Sequence, residues 1–153
     1  MHQINRDDIK KFIFSLRNPD GGFYLQKNFN QSTLMSSAFS IIVLELINSK
    51  DLLDCSTEGD YFLKNQDEKT GLFVDSYLNL ENEKIENIEL NYIHYQTTAF
   101  SLSALDALGL HPKYSLRFMD AFRGKEKISK FFENINWKNP WHESNKIMFL
   151  IQF

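Results

Sequence analysis

Ser36-Ser37-Ala38-Phe39-Ser40-Ile41-Ile42-Val43-Leu44-Glu45-Leu46-Ile47-Asn48 recurs as Thr97-Thr98-Ala99-Phe100-Ser101-Leu102-Ser103-Ala104-Leu105-Asp106-Ala107-Leu108-Gly109. Ala-Phe-Ser is identical in the two copies, and a leucine followed by an acidic residue falls at the same place in each. Self-similarity at a fixed period is the mark of a repeat architecture. Each copy is apolar nearly all round, which predicts a helix covered on most sides. Each ends in a residue that tolerates the left-handed helix cap, Asn48 or Gly109.

Working outward, the same order precedes both copies. Ile9, Phe12, Ile13 and Leu16 recur at helical spacing, so a first helix follows a cap at Asp7 or Asp8. Pro19 ends it and Asp20-Gly21-Gly22 turns the chain. Phe23, Tyr24 and Leu25 follow as an aromatic patch, and a polar loop over 26–31 leads to Ser32 or Thr33, which opens the second helix. A third helix over 57–65 carries Tyr61, Phe62 and Leu63. After a turn at Gln66–Gly71 comes a second patch, Leu72-Phe73-Val74. The run from Asp75 to Asn91 is rich in Asn and Glu and reads as a solvated acidic insertion.

A fourth helix spans about 95–108, stopped by Gly109. A short helix fits 115–122 and another 125–134, where Ile128, Phe131, Phe132 and Ile135 mirror the face of the first. The stretch from Lys113 to Lys138 is locally basic but mixed with acids, and reads as a solvated helix surface. From Ser144 to Phe153 a third apolar helix begins. Its abrupt end suggests either an N-terminal piece of a longer chain or a helix that docks on a partner or on itself.

Composition narrows the class. The chain has 153 residues, 42% hydrophobic and 24% charged, which fits one globular domain with its own core. The net charge of −3 gives no general attraction to nucleic acid or anionic membrane. Cys55 is the one cysteine, so no internal disulfide forms. The polar N-terminus is not a secretory signal, and no apolar run reaches the roughly 20 residues of a membrane span. A cytoplasmic protein is expected.

The paired pattern resembles the repeat of prenyltransferases and squalene/terpene cyclases, the α/α toroids. In that family an outer helix carries an aromatic-aliphatic pair and a Gln, then Gly-x-Trp or Gly-x-Phe leads to an inner helix. Tyr61-Phe62 with Gln66 and Gly71-Leu72-Phe73 fits best. Phe12-Ile13 to Phe23 has Arg17 in the Gln position, and Phe131-Phe132 to Trp141 lacks the glycine. The resemblance implies an all-α fold: antiparallel helical hairpins forming part of an α/α toroid. It implies a single α-helical domain over 1–153 with about three hairpins, an arc and not a closed ring. The Asp-x-Asp-Asp acid of class II cyclases is missing. Asp54-Cys55 lacks the Asp-x-Cys spacing of the prenyltransferase zinc site, so no metal and no cofactor is carried over.

The resemblance places inner-helix starts at the cavity. There the candidate substrate-binding residues are His94, Tyr95 and Gln96 beside Thr97, and Trp141, His142, Glu143 and Asn145 beside Ser144, with Gln31, Ser32 and Thr33 in the first repeat. A His beside Tyr or Glu can handle protons, and Trp can stack on a sugar, as in heparinase-type toroid lyases. The plainer reading makes the polar residues helix caps, His94 a surface or capping histidine and Trp137 and Trp141 core anchors. Glu45 and Asp106 either bond within the bundle or face a cavity. No catalytic motif is complete. The expectation is therefore an interaction or scaffold module, or a substrate-binding part of a larger protein. It would have a protein partner or self-associate through the C-terminal helix, without nucleic acid. The alternative is part of a toroid enzyme acting on an isoprenoid or a glycan.

Overall fold

A computed structural model describes residues 5–75 and 90–153, mostly as helix. α1 covers Arg6–Phe14 and is capped by Asn5, whose side chain accepts the Asp7 N–H; Asp7 and Asp8 then sit in the first turn, where acids favour the dipole. The cap is thus Asn5 and not Asp7 or Asp8. Ile13 and Leu16 enter the core, whereas Phe12 of the expected apolar face is 57% exposed.

The chain then departs from a purely helical plan. Strand β1, Phe23–Tyr24, pairs antiparallel with β2, Ser32–Thr33, in the register Phe23↔Thr33 and Tyr24↔Ser32. The aromatic patch is therefore extended backbone stitched to the start of the next helix. That helix, α2 (Leu34–Leu46), is capped by Thr33, which accepts the Ser36 N–H at 3.0 Å. A 3-10 turn at Lys50–Leu52 leads to α3 (Cys55–Lys64), capped by Asp54. α4 spans Leu90–Ala107, a 3-10 helix covers Arg117–Phe122, α5 covers Lys125–Glu133, and α6 covers Pro140–Ile151. α4 starts before the expected Tyr95. α6 starts before Ser144, because Asn139 caps it and Pro140 occupies the first turn, where proline is pre-organised.

Several backbone and side-chain bonds recur in the two repeats. Phe23 donates its N–H to Ser37 Oγ at 2.8 Å, and Phe73 donates to Thr98 Oγ1 at 2.9 Å. Ser37 and Thr98 are equivalent in the repeated stretch. Asn18 N–H bonds Gly22 C=O at 2.9 Å, as Asp67 N–H bonds Leu72 C=O at 2.8 Å. Asn48 (φ 53°) and Gly109 (φ 73°) close α2 and α4 in the left-handed conformation. The next N–H reaches back in the same way in each, Ser49 to Leu44 and Leu110 to Leu105, both at 2.9 Å or less. This is the Schellman closure that satisfies terminal carbonyls.

α2, α4 and α6 lie side by side and run in the same direction. Phe39 meets Phe100 with ring centroids 4.7 Å apart, and further along Lys50 Nζ reaches the Ala107 carbonyl at 3.0 Å. On the other flank Tyr92 stacks on His142, and Phe100 meets Phe149. Between this row and α1 and α3 lies the main core. Phe23, Leu34, Ile41, Phe62, Phe73 and Leu105 are fully buried there, each contributing roughly 1.5–3 kcal/mol of apolar burial.

The third unit differs. Gly21 packs against the Thr57 carbonyl at the start of α3, and Gly71 packs against the Ser115 carbonyl in the same manner. The third counterpart of α3's first turn is therefore the segment entering the Arg117–Phe122 helix. α5 stands outside that frame, with Ile128 and Phe132 exposed, so it does not mirror α1. Among the expected acidic insertion, Asp75 is not solvated: it is 4% exposed. Positions 76–89 of that insertion lie outside the described residues.

Candidate functional site

α2 buries Leu34, Ser37, Ala38, Ile41 and Leu44 against the core and turns Met35, Phe39, Ile42 and Leu46 the other way. That second stripe follows i, i+4, i+7, i+11 and is left uncovered in part, with Phe39 46% and Leu46 73% exposed. α2 is thus covered on most sides, as expected, and its exposure is confined to this stripe. Between α2 and α4 the stripe forms one wall of a groove of about 610 Å³, whose other wall carries Phe100, Ser103, Asp106 and Ala107. Gln152, just past α6, closes one end. Glu45 and Asp106 both line this groove, so the equivalent acids face a cavity. Lys50 ion-pairs with Glu45 at 2.9 Å. On α6, Met148 (45%) and Ile151 (78%) are also exposed.

The residues expected to bind substrate are distributed, not gathered. His142 stacks face to face on Tyr92, with centroids 5.7 Å apart and planes 6° from parallel. His94 is two positions from Tyr92 on the same helix, about 200° around the axis. It follows that His94 projects away from the face of α4 that meets His142. His94 is buried, and its Nε2 has no hydrogen-bond partner among the described residues. Burial pushes its pKa down, against an upward pull from Asp67. It shares a stripe with Thr98 and Ser101, whose hydroxyl is likewise buried and unpaired among the described residues. His94 is therefore neither a surface nor a capping residue.

Tyr95 is buried and stacks on Phe118 at 5.4 Å. Gln96 is half-buried. Trp141 is 73% and Trp137 58% exposed, so neither anchors the core. The Asn145 amide donates to the Trp141 carbonyl one turn earlier on its own helix. Glu143 is 6% exposed and lines a cleft shared with α5. Tyr95, His142 and Glu143 thus serve separate neighbourhoods.

Two carboxylates that sequence reasoning did not single out are held in low-dielectric positions. Asp75 Oδ1 accepts the Leu34 N–H at 2.7 Å, so a residue of the second repeat caps the α2 helix of the first. Burial pushes its carboxyl up to about 6, although the Leu34 N–H pulls it down. Glu58, on α3, has a fully buried side chain and ion-pairs with Arg17. Beyond that ion pair, neither carboxylate oxygen has a side-chain hydrogen-bond partner among the described residues. Burial raises its pKa, and the Arg17 guanidinium offsets part of that rise. Gln66, in the position equivalent to Arg17, works by hydrogen bonds instead. Its amide donates to the carbonyls of Gly71 (3.0 Å) and Tyr114 (2.8 Å) and accepts the Tyr114 N–H (2.9 Å). In both repeats this position fastens one unit to the next.

No group of three or more His, Cys, Asp or Glu among the described residues is arranged to hold a metal ion. No helix among them is long and apolar enough to cross a membrane. Neither a protein-family model, nor a curated protein, nor a solved structure matches this chain.

Proposed function

We propose that the chain is an interaction module built as an arc of an α/α toroid, and that the apolar wall of α2, α4 and α6 is its docking face. The carrying observation is the exposed stripe of Phe39 and Leu46 on α2, together with exposed Met148 and Ile151 on α6. Exposed large apolar side chains gathered in this way mark a place where another surface can lie. The parallel row of α2, α4 and α6, the first two hooked by a hydroxyl to a Gly-x-Phe turn, supports the toroid reading. The occupant that fits is a second apolar helical surface, supplied by another copy of the chain.

Static light scattering over a wide concentration range tests this. The wild-type chain should associate as concentration rises, and Leu46→Glu combined with Ile151→Glu should leave it monomeric with unchanged helicity. A wild-type chain that stays monomeric throughout would rule the docking face out. The enzyme reading, a toroid handling an isoprenoid, draws on the same wall, because the Phe39–Phe100 pair supplies aromatic rings beside the groove. The glycan reading has weaker support, since His94, Tyr95 and Trp141 do not converge.

A further inference from the structure

The Arg117–Phe122 helix, α5 and the first turns of α6 enclose a second cleft, of about 350 Å³, separate from the groove between α2 and α4. That is the lower end of the size of small-molecule sites. Its apolar part is Phe122 and Phe131, packed edge to face with centroids 5.2 Å apart. Around these rings stand Lys127, Lys130 and Lys146. Lys127 is steadied by donating to the Asp120 carbonyl at 2.9 Å, and the Lys146 ammonium sits 5.7 Å from the centre of the Phe131 ring. The amides of Asn134 and Asn136 also line the cleft.

Among the described residues that line the cleft, Glu143 is the one carboxylate beside three lysines, so this lining carries more basic than acidic groups. The surrounding sequence has the same sign. From Lys113 to Lys138 there are seven basic residues against three acidic ones, in a chain whose net charge is −3. A charged surface that merely solvates a helix does not need a concave aromatic floor. Cations gathered over such a floor suit a ligand with an anionic head and a flat apolar body. The Lys127 and Lys130 ammonium groups take the head by charge-assisted hydrogen bonds, and the rings take the body.

We propose that this cleft binds a small oxyanion, a phosphate or a carboxylate, carried on a compact aromatic body. Glu143 limits the charge the cleft accepts and is placed to receive a hydroxyl or amide donor from the same ligand.

The test is a heteronuclear NMR titration of the full chain with phenyl phosphate, benzoate, inorganic phosphate and benzyl alcohol. Saturable shifts confined to residues 121–146 are expected with phenyl phosphate, weaker ones with inorganic phosphate, and none with neutral benzyl alcohol. Benzoate separates the two sources: shifts with both aromatic anions assign a general oxyanion site, and shifts with phenyl phosphate alone assign a phosphate ester. Lys130→Gln should weaken phenyl phosphate binding about tenfold, the usual worth of a charge-assisted hydrogen bond. This residue is exposed, so its substitution leaves the fold intact, as the unchanged spectrum outside the cleft will confirm. Any of three results overturns the proposal: no saturation by about 10 mM, well above the weakest useful affinity; equal shifts with benzyl alcohol; or Lys130→Gln binding as tightly as wild type.

Discussion

Asp75 and Leu34 are joined by a 2.7 Å hydrogen bond across 41 positions of sequence, from a buried carboxylate to the first N–H of α2. α2 has no acidic residue in its own first turn. The anion that its dipole favours comes instead from the end of the second Gly-x-Phe turn. The start of α2 thus depends on the folding of the neighbouring repeat.

Asp75 titrates at about 6 in the folded chain against 3.8 for the ordinary group. The folded state therefore holds the proton more tightly. The stability linked to it is complete below pH 3.8 and is lost as pH rises through about 6, at most about 3 kcal/mol. Asp75→Asn keeps an acceptor for Leu34 without the ionisation. Urea unfolding at pH 4, 5, 6 and 7.5 should show the variant gaining on wild type as pH rises, with no further gain above pH 7. A constant difference between the two chains at every pH would refute the buried titration.

Glu58 is tied to Arg17, and the two reached the same place from different repeats. Removing the cation leaves the carboxylate buried and unpaired, a change that costs about 3–5 kcal/mol in comparable pairs. Arg17 keeps about a third of its side chain exposed, so the lower end applies. Arg17→Met should thus destabilise by about 3 kcal/mol. Arg17→Met with Glu58→Leu should recover most of that loss. A double-mutant cycle in urea measures the coupling, and additive effects would show that the pair does not interact.

How much of this was legible in the sequence follows from the kind of signal each feature leaves. The repeat was legible because Ala38-Phe39-Ser40 and Ala99-Phe100-Ser101 are identical, and Gly-x-Phe lies ahead of each. The hook itself was hidden one position upstream, where Ser37 and Thr98 share only a hydroxyl. Asp75 was masked by the acids that follow it, since a charge run reads as solvated and one buried member does not change the average. The sequence pattern puts the start of α4 near Tyr95, which sets His94 at a helix start. With α4 starting at Leu90, His94 falls inside the helix, on the stripe of Thr98 and Ser101. The exposure of Phe39 and Leu46 was also invisible, because an all-apolar helix does not say which of its sides lacks a neighbour.

Gly71 and Gly109 share a positive φ, 80° and 73°, but not surroundings. A methyl at Gly71 would lie 2.2 Å from the Ser115 carbonyl oxygen, which is backbone and cannot swing aside, whereas nothing lies within 4 Å of one at Gly109. Gly109→Ala should cost about 1–2 kcal/mol, the strain of a left-handed alanine. Gly71→Ala should cost clearly more and should loosen the 115–122 segment, seen as faster amide exchange there. Equal losses at both positions would mean that Ser115 yields freely.

Thr98 carries the last prediction, because its hydroxyl is the acceptor for the Phe73 N–H in a fully buried setting. Thr98→Val keeps the shape and removes the acceptor, so a buried N–H is left unpaired at a cost of about 1–3 kcal/mol. Thr98→Ser keeps the acceptor and loses a methyl, worth about 1 kcal/mol of burial and packing. It also recreates the residue that does the same task at Ser37. If the hook holds the inner helix to its turn, Val should be the more damaging of the two despite its better volume match. Amide exchange at Phe73 should then speed up in the Val variant alone. A Val variant as stable as Ser, with Phe73 still protected, would mean that packing of Phe73 and not its hydrogen bond fixes the turn.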